Sequence, residues 1–419
     1  MAFNVTSEIG RLRRVLIHRP GQEIDWMVPS MMERLLFDDI LYGEGARQEH
    51  DAFRSLLEAA GVETFDPQEL LVQVLGEEAV RERLLERLQQ RGASDEQRRH
   101  LAELAAPALA SSLVTGALAG DENAERFYDW TPIPNYFFQR DPQVVLGDRV
   151  VISSMATRAR DREPLLAQTV FESHPALSDV NELIDVRAEG VGDGPRTPYL
   201  EGGDVLVPSP EVLLVGLSER TNRRGVETLA RCLRQRETSF RHMLVVELPA
   251  RRSYMHLDTV LTFIDHGLCL AYLPVIPPGG TEAGDVYRID LGARELSYTL
   301  CDGLRSALSA VGIDVELVPC GGSRRLIDQQ REQWTDGANA FALAPGVIVT
   351  YRRNRRTTEE LARRGWRVVA AGDIIAGRES AHGHGPTVIT LIDNELSRAR
   401  GGPRCMTMPL ERDPLPSPG

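Results

Sequence analysis

Four times along the chain, two short apolar runs flank a turn signal. QVVLGDRVVISS turns at Gly147-Asp148, DVLVPSPEVLLVG near Ser209, LTFIDHGLCLAYL near His266 and NAFALAPGVIVTY near Gly346. Runs rich in Val, Ile and Leu, broken by Gly, Asp or Pro, predict β-hairpins. The turns stand 62, 57 and 80 residues apart, the spacing of strand-turn-strand-helix modules. Helical patterns fill the intervals: RRGVETLARCLRQ follows the second hairpin, and TTEELARRGW follows the fourth, opened by an expected capping box from Thr357 to Glu360. A fifth module forms if the terminal strand Met406 to Leu410 pairs with Arg14 to His18. Chain ends that meet in one module would close a ring, so the class expected is α/β.

The polar residues that stand out occupy one place in every module, just before its first strand. They are Asp141, Glu201 with Asp204, His256 with Asp258, Asp336 with Asn339, and Cys405. In a ring of equivalent modules such positions converge at one end of a central channel. One stretch breaks the pattern: residues 67–123 read as helical throughout, with Leu84, Leu85, Leu88, Leu101, Leu104 and Leu109 at helical spacing and a capping box from Ser94 to Gln97. This predicts a helical insertion at 67–123 in a catalytic unit of residues 1–66 and 124–419, open to a role as cover, oligomer contact or packing. The terminal DPLPSPG reads as a loose tail.

Composition removes several classes of function. All 48 basic residues are Arg, with no Lys in the chain, which excludes Schiff-base, pyridoxal phosphate and Walker-type phosphate-loop chemistry. A net charge of −13 argues against nucleic acid or an anionic membrane as partner and mildly favours a small cation. No apolar run approaches the roughly 18 residues of a membrane span, and the N-terminus lacks the apolar stretch of a secretory signal, so a cytoplasmic location is expected. Five scattered cysteines without a CxxC pair suggest neither a disulfide framework nor a zinc site. Cys232 and Cys269 fit core positions, and His382-Gly-His384 reads as an exposed, metal-free loop.

Cys405 differs from the other cysteines. It lies in a Gly/Pro turn beside Arg400 and Arg404, where a thiolate is expected to be favoured, the profile of a nucleophile. A guanidinium is a flat cation best recognised by carboxylates accepting paired N–H bonds. Asp141 and Asp258 suit that clamp, with Cys405 attacking the central carbon. His256 would serve as general acid and base, and Glu201 would raise its proton affinity. The chemistry expected is hydrolysis of a guanidinium to a urea.

These motifs, in order, resemble the arginine deiminase family of the guanidine-modifying, pentein-type superfamily. The likeness rests on SEIGRLRRVLIHRPG at Ser7 to Gly21, LLFDDILY at Leu35 to Tyr42, PNYFFQRDP at Pro134 to Pro142, LEGGDVL at Leu200 to Leu206, MHLDTVLT at Met255 to Thr262, DGANAFALAPG at Asp336 to Gly346 and the closing ARGGPRCMTMPL. It implies a five-bladed, pseudo-symmetric α/β propeller with a helical insertion, conversion of L-arginine to L-citrulline and ammonia through a covalent thiouronium, and neither cofactor nor metal. Carried over by motif, Cys405 is the nucleophile, His256 the acid/base, and Glu201, Asp141 and Asp258 hold the guanidinium. Asn135, Phe138, Arg160, Arg220 and Arg400 hold the amino-acid end. A homo-oligomer is left open. Gln139 stands where the family commonly carries Thr, which leaves an arginine analogue open as substrate. An amidinotransferase, a dihydrolase or a non-catalytic arginine-binding protein are the competing readings.

Overall fold

The computed structural model describes residues 3–120, 127–177, 180–190, 197–236 and 238–416. All four predicted hairpins form, as Gln143–Leu146 with Arg149–Ile152, Val205–Ser209 with Val212–Leu217, Leu261–Asp265 with Leu268–Ala271, and Phe341–Ala344 with Val347–Tyr351. Gly147 and Gly346, at φ 63° and 70°, take left-handed conformations that these tight reversals need and that glycine adopts without steric cost.

Each hairpin then gains a parallel third strand. Arg149–Ile152 pairs with Glu182–Asp185, Val212–Leu217 with His242–Glu247, Leu268–Ala271 with Glu316–Pro319, and Val347–Tyr351 with Thr387–Leu391. Parallel neighbours need a crossover connection, and helices Glu163–Ser173, Arg223–Gln235, Gly303–Ser309 and Arg355–Arg363 lie in those intervals. The fifth unit repeats the scheme with the chain ends: Leu12–Ile17 pairs antiparallel with Thr407–Arg412 and parallel with Glu63–Phe65. The result is a mixed α/β fold whose sheets are separately hydrogen-bonded, with no closed barrel among the described residues.

Helices Pro67–Val74, Glu78–Gln90, Asp95–Glu103 and Ala106–Thr115 occupy the predicted helical stretch. The expected capping box is present: Ser94 Oγ accepts from the Gln97 amide at 3.1 Å and Gln97 Oε1 from the Ser94 amide at 2.9 Å. Leu84, Leu85, Leu88, Leu101 and Leu109 pack into one core with Val144, Val151 and Phe171, so the stretch is anchored by burial on the neighbouring sheets. A short strand, Ala117–Leu118, pairs with Tyr128–Trp130, a pairing too brief to leave an alternating pattern. The expected boundary at 123/124 lies outside the described residues.

Two local expectations fail. Helix Arg355–Arg363 begins three residues earlier than the proposed box requires, with its N-cap at Asn354 rather than Thr357 and no side-chain cap bond. Thr357 instead donates its hydroxyl to Glu332 at 2.7 Å, while Glu360 pairs with Arg363 at 2.8 Å. The tail is also tied down as far as it is described: Asp413 pairs with Arg13 at 2.6 Å and Leu415 packs on an apolar cluster. Cys232 and Cys269 are core residues as expected, and no helix among the described residues is long and apolar enough to cross a membrane.

Candidate active site

The residues that precede each module's first strand are held in short turns that end where sheet pairing begins. Glu201 enters the turn Gly202–Asp204, His256 the turn Leu257–Thr259, and Cys405 the reversal before Thr407–Arg412. Hydrogen bonds between modules lock them together. Asn339, from the fourth module, accepts from the Cys405 amide at 3.1 Å and donates to the Asp258 carbonyl at 3.1 Å. Asp204 accepts from the Leu257 amide at 2.9 Å, and the Arg140 amide donates to the Cys405 carbonyl at 3.0 Å.

Asn135, Phe138, Asp141, Arg160, Arg220, His256, Arg400 and Cys405 line a single pocket, and Glu201 and Asp258 stand directly behind it. All ten residues picked from the sequence are therefore gathered within one locality. His256 Nε2 is 2.8 Å from Glu201 Oε2, and its Nδ1 is 3.6 Å from Asp141 Oδ1. Cys405 Sγ lies 3.8 Å from Asp258 Oδ2. Asp141 and Asp258 each keep a buried Oδ1 that receives no hydrogen bond from the protein. A buried carboxylate oxygen without a donor is costly unless a ligand supplies one, so both are poised for N–H donors.

Burial alone would strip the proton from His256, but Asp141, Glu201 and Asp204 outweigh it and lift its pKa to about 9. Burial works against ionisation of Glu201 too, yet the bond from His256 and the cations Arg220 and Arg160 hold its carboxyl below the usual range. The pair is thus an imidazolium and a carboxylate. Cys405 overturns the expectation of a favoured thiolate: burial, with Asp258, Asp141 and Asp336 facing it, pushes its thiol well above the ordinary range. The two flanking arginines are committed elsewhere. Arg404 binds Asp258 at 2.8 Å and Glu8 at 3.1 Å, while Arg400 lies 3.5 Å above the Trp334 ring and donates to the Trp334 carbonyl.

The arginines expected at the amino-acid end are also engaged. Arg160 reaches Asp141 at 2.6 Å and Glu163 at 2.7 Å, and Arg220 stands 4.0 Å from Glu201. Asn135 donates to the Leu35 carbonyl at 2.7 Å, and the Phe138 ring lies against Gly401, where a Cβ would fall 2.1 Å from it. The cavity left among these groups is only about 20 Å³, about one water.

Gln139 is turned away: it donates to the Tyr136 carbonyl, accepts from Gln143 at 3.2 Å and does not line the pocket. Sequence reasoning passed over Leu36, Met255, Thr259 and Ala399 in the lining, and the buried acids Glu8 and Glu163 that neutralise Arg404 and Arg160. Thr259 and Met255 flank His256 in its motif, but nothing in the local pattern marked Glu8 or Glu163 as buried. Donor atoms of Asp141, Glu201 and His256 lie within 4.8 Å of one another, close enough for a metal ion. Here they bind each other and Arg160, contacts with which a metal would have to compete.

The sequence model of the arginine deiminase family matches residues 33–127 and 85–412. An arginine deiminase of Clostridium perfringens is 36% identical over 443 residues, covering 99% of each chain. One from Listeria monocytogenes is 34% identical over 438 residues, covering 99% of this chain and 98% of the relative. Among solved structures, the N-terminal domain of ArgZ covalently bound to a reaction intermediate aligns over 96% of this chain and 99% of that one, at TM-score 0.52 and 15% identity. A DDAH mutant from Pseudomonas aeruginosa complexed with citrulline aligns over 95% and 99%, at TM-score 0.50 and 14% identity. At such identities the likeness is one of fold alone.

Proposed function

The chain belongs to the arginine deiminase family of C–N hydrolases, and on that ground we propose that it converts L-arginine and water to L-citrulline and ammonia through a covalent adduct on Cys405. The observation that carries the reading is the pair of buried, donor-less oxygens, Asp141 Oδ1 and Asp258 Oδ1, on either side of a thiol and an imidazolium. A guanidinium supplies the N–H donors both lack and the positive charge that three acids around Cys405 call for.

Arrival of that cation offsets the carboxylates that hold the thiol protonated, and Cys405 releases its proton to solvent. Sγ then attacks the guanidinium carbon, and the protonated His256 gives its proton to the departing nitrogen, which leaves as ammonia. The cationic thiouronium remains bonded to sulfur. Neutral His256 takes a proton from water, the hydroxide adds to the same carbon, and the C–S bond breaks, the hydroxyl proton passing to the leaving sulfur so that the urea of citrulline and the Cys405 thiol are released. Glu201 holds the imidazole ring and favours its charged form. Because the cavity is about 20 Å³, arginine enters only as Arg160 or Arg400 gives way. Each is placed to take the substrate's α-carboxylate with a guanidinium fork, together with Arg220, while Asn135 and Phe138 fix the chain between the two ends.

The same reading includes a five-bladed α/β propeller, supported by five sheets that each join an antiparallel pair to a parallel strand, with the helices between residues 67 and 115 inserted in the first-to-second blade connection. Purified protein given L-arginine should yield equal amounts of citrulline and ammonia. Cys405→Ala should make none while still binding arginine, since both aspartates remain. Ornithine as the product, or citrulline made by the variant at the normal rate, would overturn the proposal.

A further inference from the structure

Away from that pocket, helices Leu326–Trp334 and Arg355–Arg363 flank a cleft of about 450 Å³, lined by Arg331, Arg353, Arg355 and Arg356 with the acids Asp328 and Glu332. A hollow of about 300 Å³ adjoins it, shares Asp328 and Arg356, and adds Arg324, Arg325 and Arg363. Seven guanidiniums thus line the two hollows, four of them paired with Asp328, Asp393, Glu359 and Glu360, in a chain whose net charge is −13.

Both lining acids are already occupied. Glu332 accepts from the Arg356 and Thr357 amides at 2.7 and 2.8 Å and from the Thr357 hydroxyl, and Asp328 takes two bonds from Arg325 at 2.7 and 3.0 Å. Arg353, Arg356 and Arg363 each have a carboxylate partner, Asp393, Glu359 and Glu360. Arg324, Arg331 and Arg355 have no carboxylate within ion-pair distance among the described residues. The loop rimming the hollow runs through Gly321 and Gly322, both at positive φ. The amides that follow, Ser323 and Arg324, are exposed at its rim and make no bond within the described residues. The three guanidiniums without a carboxylate partner repel one another across the concavity, and a multivalent anion removes that repulsion while accepting their N–H donors.

We propose that this double cleft is a binding site for a small polyphosphate anion, of the class of pyrophosphate or a nucleoside diphosphate. The arginine fork matches phosphate oxygens in pairs, two adjoining hollows suit two linked phosphates, and the volume is that of a small-ligand pocket. The helix bearing Arg331 ends at Trp334, which holds Arg400, so the ligand sits one helix from the candidate active site.

Calorimetric titration of the full chain with pyrophosphate, with ADP and with chloride at matched ionic strength tests this. Saturable one-to-one binding of pyrophosphate, weakened at least tenfold in Arg331→Glu/Arg355→Glu with arginine turnover in the absence of anion unchanged, supports the site. ADP binding tighter than pyrophosphate identifies a nucleotide, and equal affinity identifies the phosphates as the recognised group. The single variants Arg331→Gln and Arg355→Gln, both at exposed positions, provide folded controls that should each lose about threefold. Heats no greater than those of chloride, or unchanged affinity in the variants, would overturn the proposal.

Discussion

Cys405 lies between Asp258 and the turn of Asn339, and the cations nearest it in sequence are bound to other groups. With its pKa raised by burial and by three acids, alkylation by iodoacetamide should be slow at pH 7 and rise steadily toward alkaline pH without a plateau below pH 8. A guanidinium ligand that does not react should shift the profile to lower pH. A thiol that reacts fully at pH 7 without ligand would contradict this electrostatic account. Gly203 tests the imidazole's placement: a Cβ there would fall 2.7 Å from the His256 Cγ and Nδ1 and 2.9 Å from Asp141 Oδ1. Gly203→Ala should therefore displace the ring and lower kcat/KM by about 100-fold, with circular dichroism unchanged. Wild-type kinetics would mean the ring position is not critical. The convergence of Cys405 and His256 on one pocket was legible because each stands just before a strand of the repeated scheme. The partners of Arg160 and Arg404 were not, because Glu163 and Glu8 are ordinary acids until burial forces them to pair.

The elements show how far local pattern reaches. Hairpins were readable because period-two apolar runs and turn residues act over a few positions, and helix Arg223–Gln235 matches its predicted segment end to end. The Ser94–Gln97 box forms because its helix start is solvent-facing and nothing competes for the serine. The Thr357–Glu360 box does not, since Glu332 from the preceding helix reaches the same hydroxyl and amides first. Ser94→Ala should lower stability by about 1 kcal/mol, read as a fall in the urea midpoint at constant slope. An unchanged midpoint would show that helix Asp95–Glu103 is held by its packing alone.

Across the whole molecule, the first and last strands pair with each other, and His18, just past the first of them, anchors the helical stretch through Asp66, which accepts from the Gln68 amide at the start of Pro67–Val74. Burial opposes a charge on His18, but Asp66 at 3.0 Å and Glu23 at 3.8 Å outweigh it and raise its pKa from 6.5 to about 10. The folded pKa lies above the unfolded one, so this stabilisation is complete below about pH 6.5 and is lost as pH rises through about 10. The slope between reaches about 1.4 kcal/mol per pH unit. The urea midpoint of the wild type should drop more from pH 7 to 9 than that of His18→Gln, and parallel declines would remove His18 as the source. What the sequence determined by itself was the repeated hairpin, the place of each candidate catalytic residue before a strand, and the helical character of most of residues 67–123, because periodicity, turn chemistry and capping are settled within a dozen residues. Only the tertiary structure decided the charge states and partners: Cys405 as a thiol, Arg160 on Asp141, Arg404 on Asp258. Those depend on burial and on acids up to 396 residues away, and no local pattern encodes either.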